Sequence, residues 1–160
     1  MHLHQLRNKF DETYERLPEI PTPTAVLIQI ASNDLVDIDL YNLKKKMKSD
    51  LEYIRSKLPN AMIILAEIFQ RCYWRGQKSP LTIEKKRKQL NRRLRVLVCT
   101  EEIDAHFLKL SWIVAEDFQL FDNYGIHLTA NNYKRLALAY KTAINYFLTC
   151  PHVRFYDGIH

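Results

Sequence analysis

Apolar positions recur along this chain in two rhythms, one helical and one of short continuous runs. In residues 4–17, Leu6, Phe10, Tyr14 and Leu17 fall at helical spacing, and Pro18, Pro21 and Pro23 then impose an extended connection. Residues 25–30 (AVLIQI) are nearly all apolar and rich in β-branched side chains, the pattern of a strand buried on both faces. The run stops at the small polar loop of residues 31–34. Leu40, Leu43, Met47, Leu51, Ile54 and Leu58 predict a helix over residues 39–58, with Lys44, Lys45, Lys46 and Lys48 on its other side. Pro59-Asn60 ends it, and residues 61–66 (AMIILA) read as a second buried strand. A loop through residues 71–76 leads to Ser79, a predicted N-cap, and Pro80. The next helix, residues 81–99, carries Ile83, Leu90, Leu94 and Leu97 on one stripe with its basic residues facing outward. Residues 102–108 predict a third, shorter strand, and a loop carrying Trp112, Phe118 and Phe121 follows it. The last helix, residues 131–148, is expected to present Tyr133, Leu136, Tyr140, Ala143, Ile144 and Phe147 to the core.

Strand and helix in strict alternation predict an α/β sandwich with a parallel sheet. No repeat or internal linker divides the chain. The expected organisation is an N-terminal helix and Pro-rich connection (1–23), one α/β domain (24–149) and a C-terminal tail (150–160). Open α/β sheets carry their chemistry at the carboxyl ends of the strands, which singles out the loops at 31–34 and 122–129.

Composition narrows the choice. The 160 residues are 47% apolar and 26% charged, ordinary values for a folded domain with a real core. No apolar run approaches the roughly 20 residues of a membrane span, and the first residues lack the apolar core of a signal peptide. The expectation is an intracellular, cytoplasmic protein with no membrane partner. Cys72, Cys99 and Cys150 are odd in number and widely spaced, so they read as ordinary thiols. No metal site is expected, and His2 and His4 read as incidental. With three glycines, Gly76, Gly125 and Gly158, the chain holds neither a P-loop nor a dinucleotide fingerprint, and no organic cofactor is expected. The net charge of +6 is uneven: Lys85, Lys86, Arg87, Lys88, Arg92, Arg93 and Arg95 are seven cations in eleven residues with no acid among them. Such a run is usually a solvated helix face; contact with RNA or another polyanion is the sharper alternative, although no aromatic residue is interleaved to stack on bases.

The two loops carry a resemblance. A buried strand ending in IASNDL resembles the G-x-N-D segment of the SGNH/GDSL hydrolases, and FDNYGIHLTANNYKRLA resembles that family's D-x-x-H-L segment. Between them, LPNAMIILAEIFQRCYWRG followed by IEKKRKQLNRRLR is similar to the SGNH-like domains in open reading frames of animal retroelements. The resemblance covers roughly residues 24–147. It implies a three-layer α/β sandwich of SGNH (flavodoxin-like) type and cofactor-free hydrolysis of small acyl or acetyl esters. The chemistry needs a serine activated by a histidine, an orienting carboxylate and donors for the oxyanion.

Carried over by position, His127 matches the general base, Asn33 the oxyanion-hole asparagine and Asp34 the motif's trailing, loop-supporting aspartate. The D-x-x-H acid position is Tyr124, leaving Asp122 as a weak substitute, and the G-x-N-D glycine is Ala31. Trp74 and Arg75 read equally as lining a substrate or partner groove and as surface-loop anchors. The family's nucleophile lies in a G-D-S turn after the first strand, but residues 1–32 contain no glycine, no first buried strand and no serine except Ser32. None of the five serines (Ser32, Ser49, Ser56, Ser79, Ser111) has the nucleophile's context, and Ser32 is only a weak candidate. The expectation is a hydrolase-type domain without its first strand, either part of a longer domain or a decayed copy, and inactive alone. A basic nucleic-acid-contacting or protein-interaction module is the alternative. Asp157-Gly-Ile-His160 spells D-x-x-H again but opens no helical pattern, and reads as coincidence.

Overall fold

A computed structural model describes residues 2–16, 21–74, 76 and 79–158. A short 3-10 turn, Leu3–Gln5, runs into α1 (Leu6–Tyr14). Then β1 (Ala25–Ile28), α2 (Leu40–Lys57), β2 (Met62–Ala66), α3 (Pro80–Cys99), β3 (His106–Lys109), α4 (Ala130–Thr149) and β4 (Phe155–Asp157) follow in order. The strands form one parallel sheet, ordered β1-β2-β3-β4. Among the described residues no strand pairs with the outer edge of β1.

Side chains alternate across this sheet, as the twofold period of a strand requires. Ile63, Leu65 and Phe107 join one core with Leu43, Met47, Leu51 and Ile54 of α2, Leu90, Leu94 and Leu97 of α3, and Leu6 of α1. Ile64, Ala66 and Leu108 point the other way and pack with Leu136, Ala143 and Phe147 of α4. The result is a three-layer α/β sandwich, as the alternation predicts.

Several expectations change in detail. The third strand starts later than expected because residues 102–105 form the turn that feeds it. The predicted tail contains β4, whose Phe155, Tyr156 and Asp157 pair with Phe107, Leu108 and Lys109. Ser79 stands at the N-cap of α3, yet its hydroxyl caps no backbone amide and instead accepts from Thr82 Oγ1 at 3.1 Å. Tyr133 is 44% exposed rather than a core residue. No helix of the described residues is long and apolar enough to cross a membrane.

Candidate functional site

The carboxyl ends of β1 and β2 open into a cleft of about 330 Å³ lined by residues of both sequence-predicted loops, among them Ser32, Asn33, Ile126 and His127. His2, Asp37, Arg71 and Trp74 complete its polar and aromatic lining. A second hollow of about 210 Å³ shares Ser32, Asn33, Arg71 and His127 and extends to Gln29 and Tyr133. The loops at 31–34 and 122–129 therefore meet at one site.

The first loop is built on Ala31, fully buried with a φ of 72°, a left-handed conformation that glycine adopts without strain. That turn lets the Asp34 amide donate to the Ala31 carbonyl at 3.2 Å. Asp34 is 2% exposed and braces the N-terminal segment: Oδ1 lies 3.3 Å from His2 Nδ1, and Oδ2 accepts from the Leu3 amide at 2.9 Å. The supporting role expected for Asp34 thus extends to a segment the sequence left unconnected to the loop.

The second loop is closed by an antiparallel bridge between Phe121 and Leu128 and by the Asp122 amide donating to the His127 carbonyl at 2.7 Å. Asp122 Oδ1 accepts from the amides of Tyr124, Ile126 and His127 at 3.2, 3.2 and 3.3 Å. Partial desolvation works against ionisation, but these three donors and the nearby His127 prevail and hold its carboxyl below the usual range. The carboxylate braces the loop; the structure gives it no hydrogen bond to the His127 ring. Tyr124, at the D-x-x-H acid position, is 78% exposed. His127 itself is exposed, and among the described residues its ring has no hydrogen-bond partner.

Residues 67–74 tie the two loops together. Tyr73 donates its amide to the Gly125 carbonyl at 3.0 Å, and Cys72 Sγ donates to the Ala115 carbonyl at 3.2 Å. Gly125, with a φ of 65°, is required here, because a Cβ would stand 2.7 Å from Cys72 Cβ. This connection aims Arg71 into the cleft. Its Nη2 donates to Ser32 Oγ at 2.8 Å and its Nη1 to Asn33 Oδ1 at 3.2 Å. The guanidinium carbon lies 5.3 Å from the Trp74 ring centroid. Ser32, the weak nucleophile candidate, is thus engaged by a cation rather than by an imidazole base. Asn33 keeps its Nδ2 donors. Trp74 is buried and lines the cleft; Arg75 lies outside the described residues.

Sequence reasoning missed Arg71. The available signal was a lone cation between the apolar residues after β2 and a Cys-Tyr-Trp segment, which periodicity alone does not interpret. It also gave His2 and His4 no role. The ligand atoms of His2, His4 and Asp34 lie within 4.8 Å of one another, two imidazoles and a carboxylate of the kind Zn²⁺ uses. Both Asp34 oxygens are already engaged by His2 and Leu3.

The basic run divides by face of α3. Lys85, Lys88, Arg92, Arg93 and Arg95 are exposed, as expected. Arg87 is 4% exposed, contrary to the outward reading, and makes paired contacts of 2.7 and 2.6 Å with Glu84 and one of 2.6 Å to the Ile68 carbonyl. Glu67 stands 3.6 Å away. Lys86 donates to the Leu35 carbonyl at 2.6 Å, and burial pushes its pKa down. In the second D-x-x-H, residues 157–160, the Asp157 carboxylate accepts from Lys109 and Ser111, and His160 lies outside the described residues. No protein-family model matches the chain, and no curated protein matches it.

Proposed function

We propose that this chain is an SGNH/GDSL-type hydrolase domain in degenerate form, which retains the ester-binding cleft of that family but not its turnover. The observation that carries the reading is the cleft, where Asn33 and His127 come from separate loops to one site at the strand ends. Ala31 supports it further, because the position where the family has glycine holds the left-handed backbone that glycine serves. The reading of lost turnover rests on two engagements and one replacement. Ser32 accepts from Arg71, Asp122 is committed to backbone amides, and Tyr124 replaces the acid that would orient His127. A serine without a base, and a base without an orienting carboxylate, leave only the oxyanion donors.

Hydrolysis of p-nitrophenyl acetate by the purified chain tests this, beside His127→Ala and Ser32→Ala. The expected rate is the same for all three. Turnover that disappears with His127→Ala would overturn the degenerate reading, and parallel loss with Ser32→Ala would make that serine the nucleophile.

A further inference from the structure

Arginine is the one common side chain that burial does not neutralise, because its pKa lies too far above neutrality to be brought within reach. A buried guanidinium therefore stays charged and needs an anion beside it, or it bears an uncompensated desolvation cost. Five described arginines are wholly or partly buried: Arg7, Arg55, Arg71, Arg87 and Arg154. Four of them have a carboxylate within 4.0 Å: Asp50 for Arg7, Asp104 for Arg55, Glu84 for Arg87, and Asp104 for Arg154. Among the described residues Arg71 has none. Its contacts are a hydroxyl, an amide oxygen and an indole face, all neutral, and its Nε is buried with no acceptor.

The surroundings have the same bias. Ser32, Asn33, His127 and His2 bring a hydroxyl, an amide and two imidazoles to the cleft, all able to donate. Asp37 is the one carboxylate among the lining residues, and it lies within electrostatic reach of Lys86. Each terminal nitrogen of Arg71 keeps a second N–H beyond the one it already gives, the fork that matches two oxygens of one ligand. We propose that Arg71 makes this cleft a binding site for a small molecule carrying an oxyanion, a carboxylate or a phosphate. The ligand supplies the counter-charge that the fold gives its other sheltered arginines and withholds here. Trp74, under the guanidinium, keeps the fork in place while the ligand exchanges. The cleft is the one assigned above to a degenerate hydrolase, but the anion site rests on Arg71 alone and does not require any esterase chemistry.

Titration calorimetry of the whole chain with sodium acetate and with sodium phosphate, at constant ionic strength set by chloride, tests the proposal. Binding of at least one of the two is expected, and the stronger arm identifies the oxyanion class. Arg71→Gln, with circular dichroism verifying its fold, is expected to lose about tenfold or more in affinity, since a charge-assisted pair is removed. Arg71→Lys keeps the charge without the fork and is expected to bind more weakly than wild type; it decides the matter if Arg71→Gln does not fold. The triple variant Arg92→Gln, Arg93→Gln, Arg95→Gln is expected to bind as wild type. No binding of either anion tighter than about 10 mM would overturn the proposal. So would equal affinity in the Arg71 variants, or loss of binding in the triple variant, which would move the anion to α3. Absence of esterase activity leaves all these outcomes intact, so the two readings fail separately.

Discussion

Ala31 holds a backbone conformation that costs an L-residue about 1–2 kcal/mol relative to its usual wells. Its methyl group is fully buried, worth about 0.8 kcal/mol, and glycine would add unfolded-state entropy of about 0.4–1 kcal/mol. These terms nearly cancel, so Ala31→Gly should leave stability within about 1 kcal/mol of wild type. Ala143 provides the contrast: equally buried but inside α4, where glycine loses the methyl contact and about 1 kcal/mol of helix propensity. Urea unfolding of both variants checks this. Equal losses would mean the turn at Ala31 carries no strain. The same residue shows what was readable in advance. A small-residue loop after a buried strand could be read from the string IASNDL, but the left-handed φ of Ala31 could not. Arg71 was harder still, because what sets it apart is that no carboxylate among the described residues pairs with it, a property of three-dimensional neighbours.

At the scale of the element, α3 shows how a run of like charges conceals two kinds of residue. Arg87 faces the body of the protein and neutralises Glu84, with Glu67 close by, while Arg92 faces solvent. Breaking a buried pair from one side strands the other partner, so Arg87→Ala should cost about 3 kcal/mol, whereas Arg92→Ala should stay within about 0.5 kcal/mol. Thermal or urea denaturation of the two variants distinguishes them; similar small losses would show that the Arg87 contacts contribute little. The elements with a strong apolar rhythm, β1, β2, α2, α3 and α4, were legible to within a residue or two because burial dictates their pattern. The strand β4 was not. It has three residues, each only half-buried, and its pairing with β3 comes from the sheet rather than from any local preference.

The whole molecule has an acid-side weakness centred on the sheet. His106 is 5% exposed, lies 4.6 Å from the Phe147 ring centroid, and its Nδ1 meets the Val153 carbonyl at 2.7 Å, which requires the Nδ1–H tautomer. Burial lowers its pKa, the Val153 carbonyl and Asp104 work in the opposite direction, and Arg154 and Arg55 reinforce the lowering. A folded pKa below the unfolded one means that the unfolded chain binds the proton first as pH falls. Stability is therefore full above the ordinary histidine range and declines as pH drops through about 6.5 toward the folded pKa. Urea midpoints measured from pH 7.5 to pH 5.5 should fall more steeply for wild type than for His106→Gln. Parallel slopes would place the acid sensitivity elsewhere.

The outer edge of β1 has a consequence for how the molecule behaves in company. Alternate residues of Ala25–Ile28 direct their backbone N–H and C=O groups away from β2, and an apolar groove of about 450 Å³, lined by Leu6, Phe10, Ile54 and Leu58 among others, runs beside them. That edge is a growing point. Its free backbone groups are those through which an added strand pairs, and the groove beside them offers such a strand apolar side chains to cover. The net charge of +6 keeps like molecules apart only over the Debye length, about 8 Å at physiological salt. Beyond that length the repulsion fades, so it gives the open edge of β1 little protection at close approach.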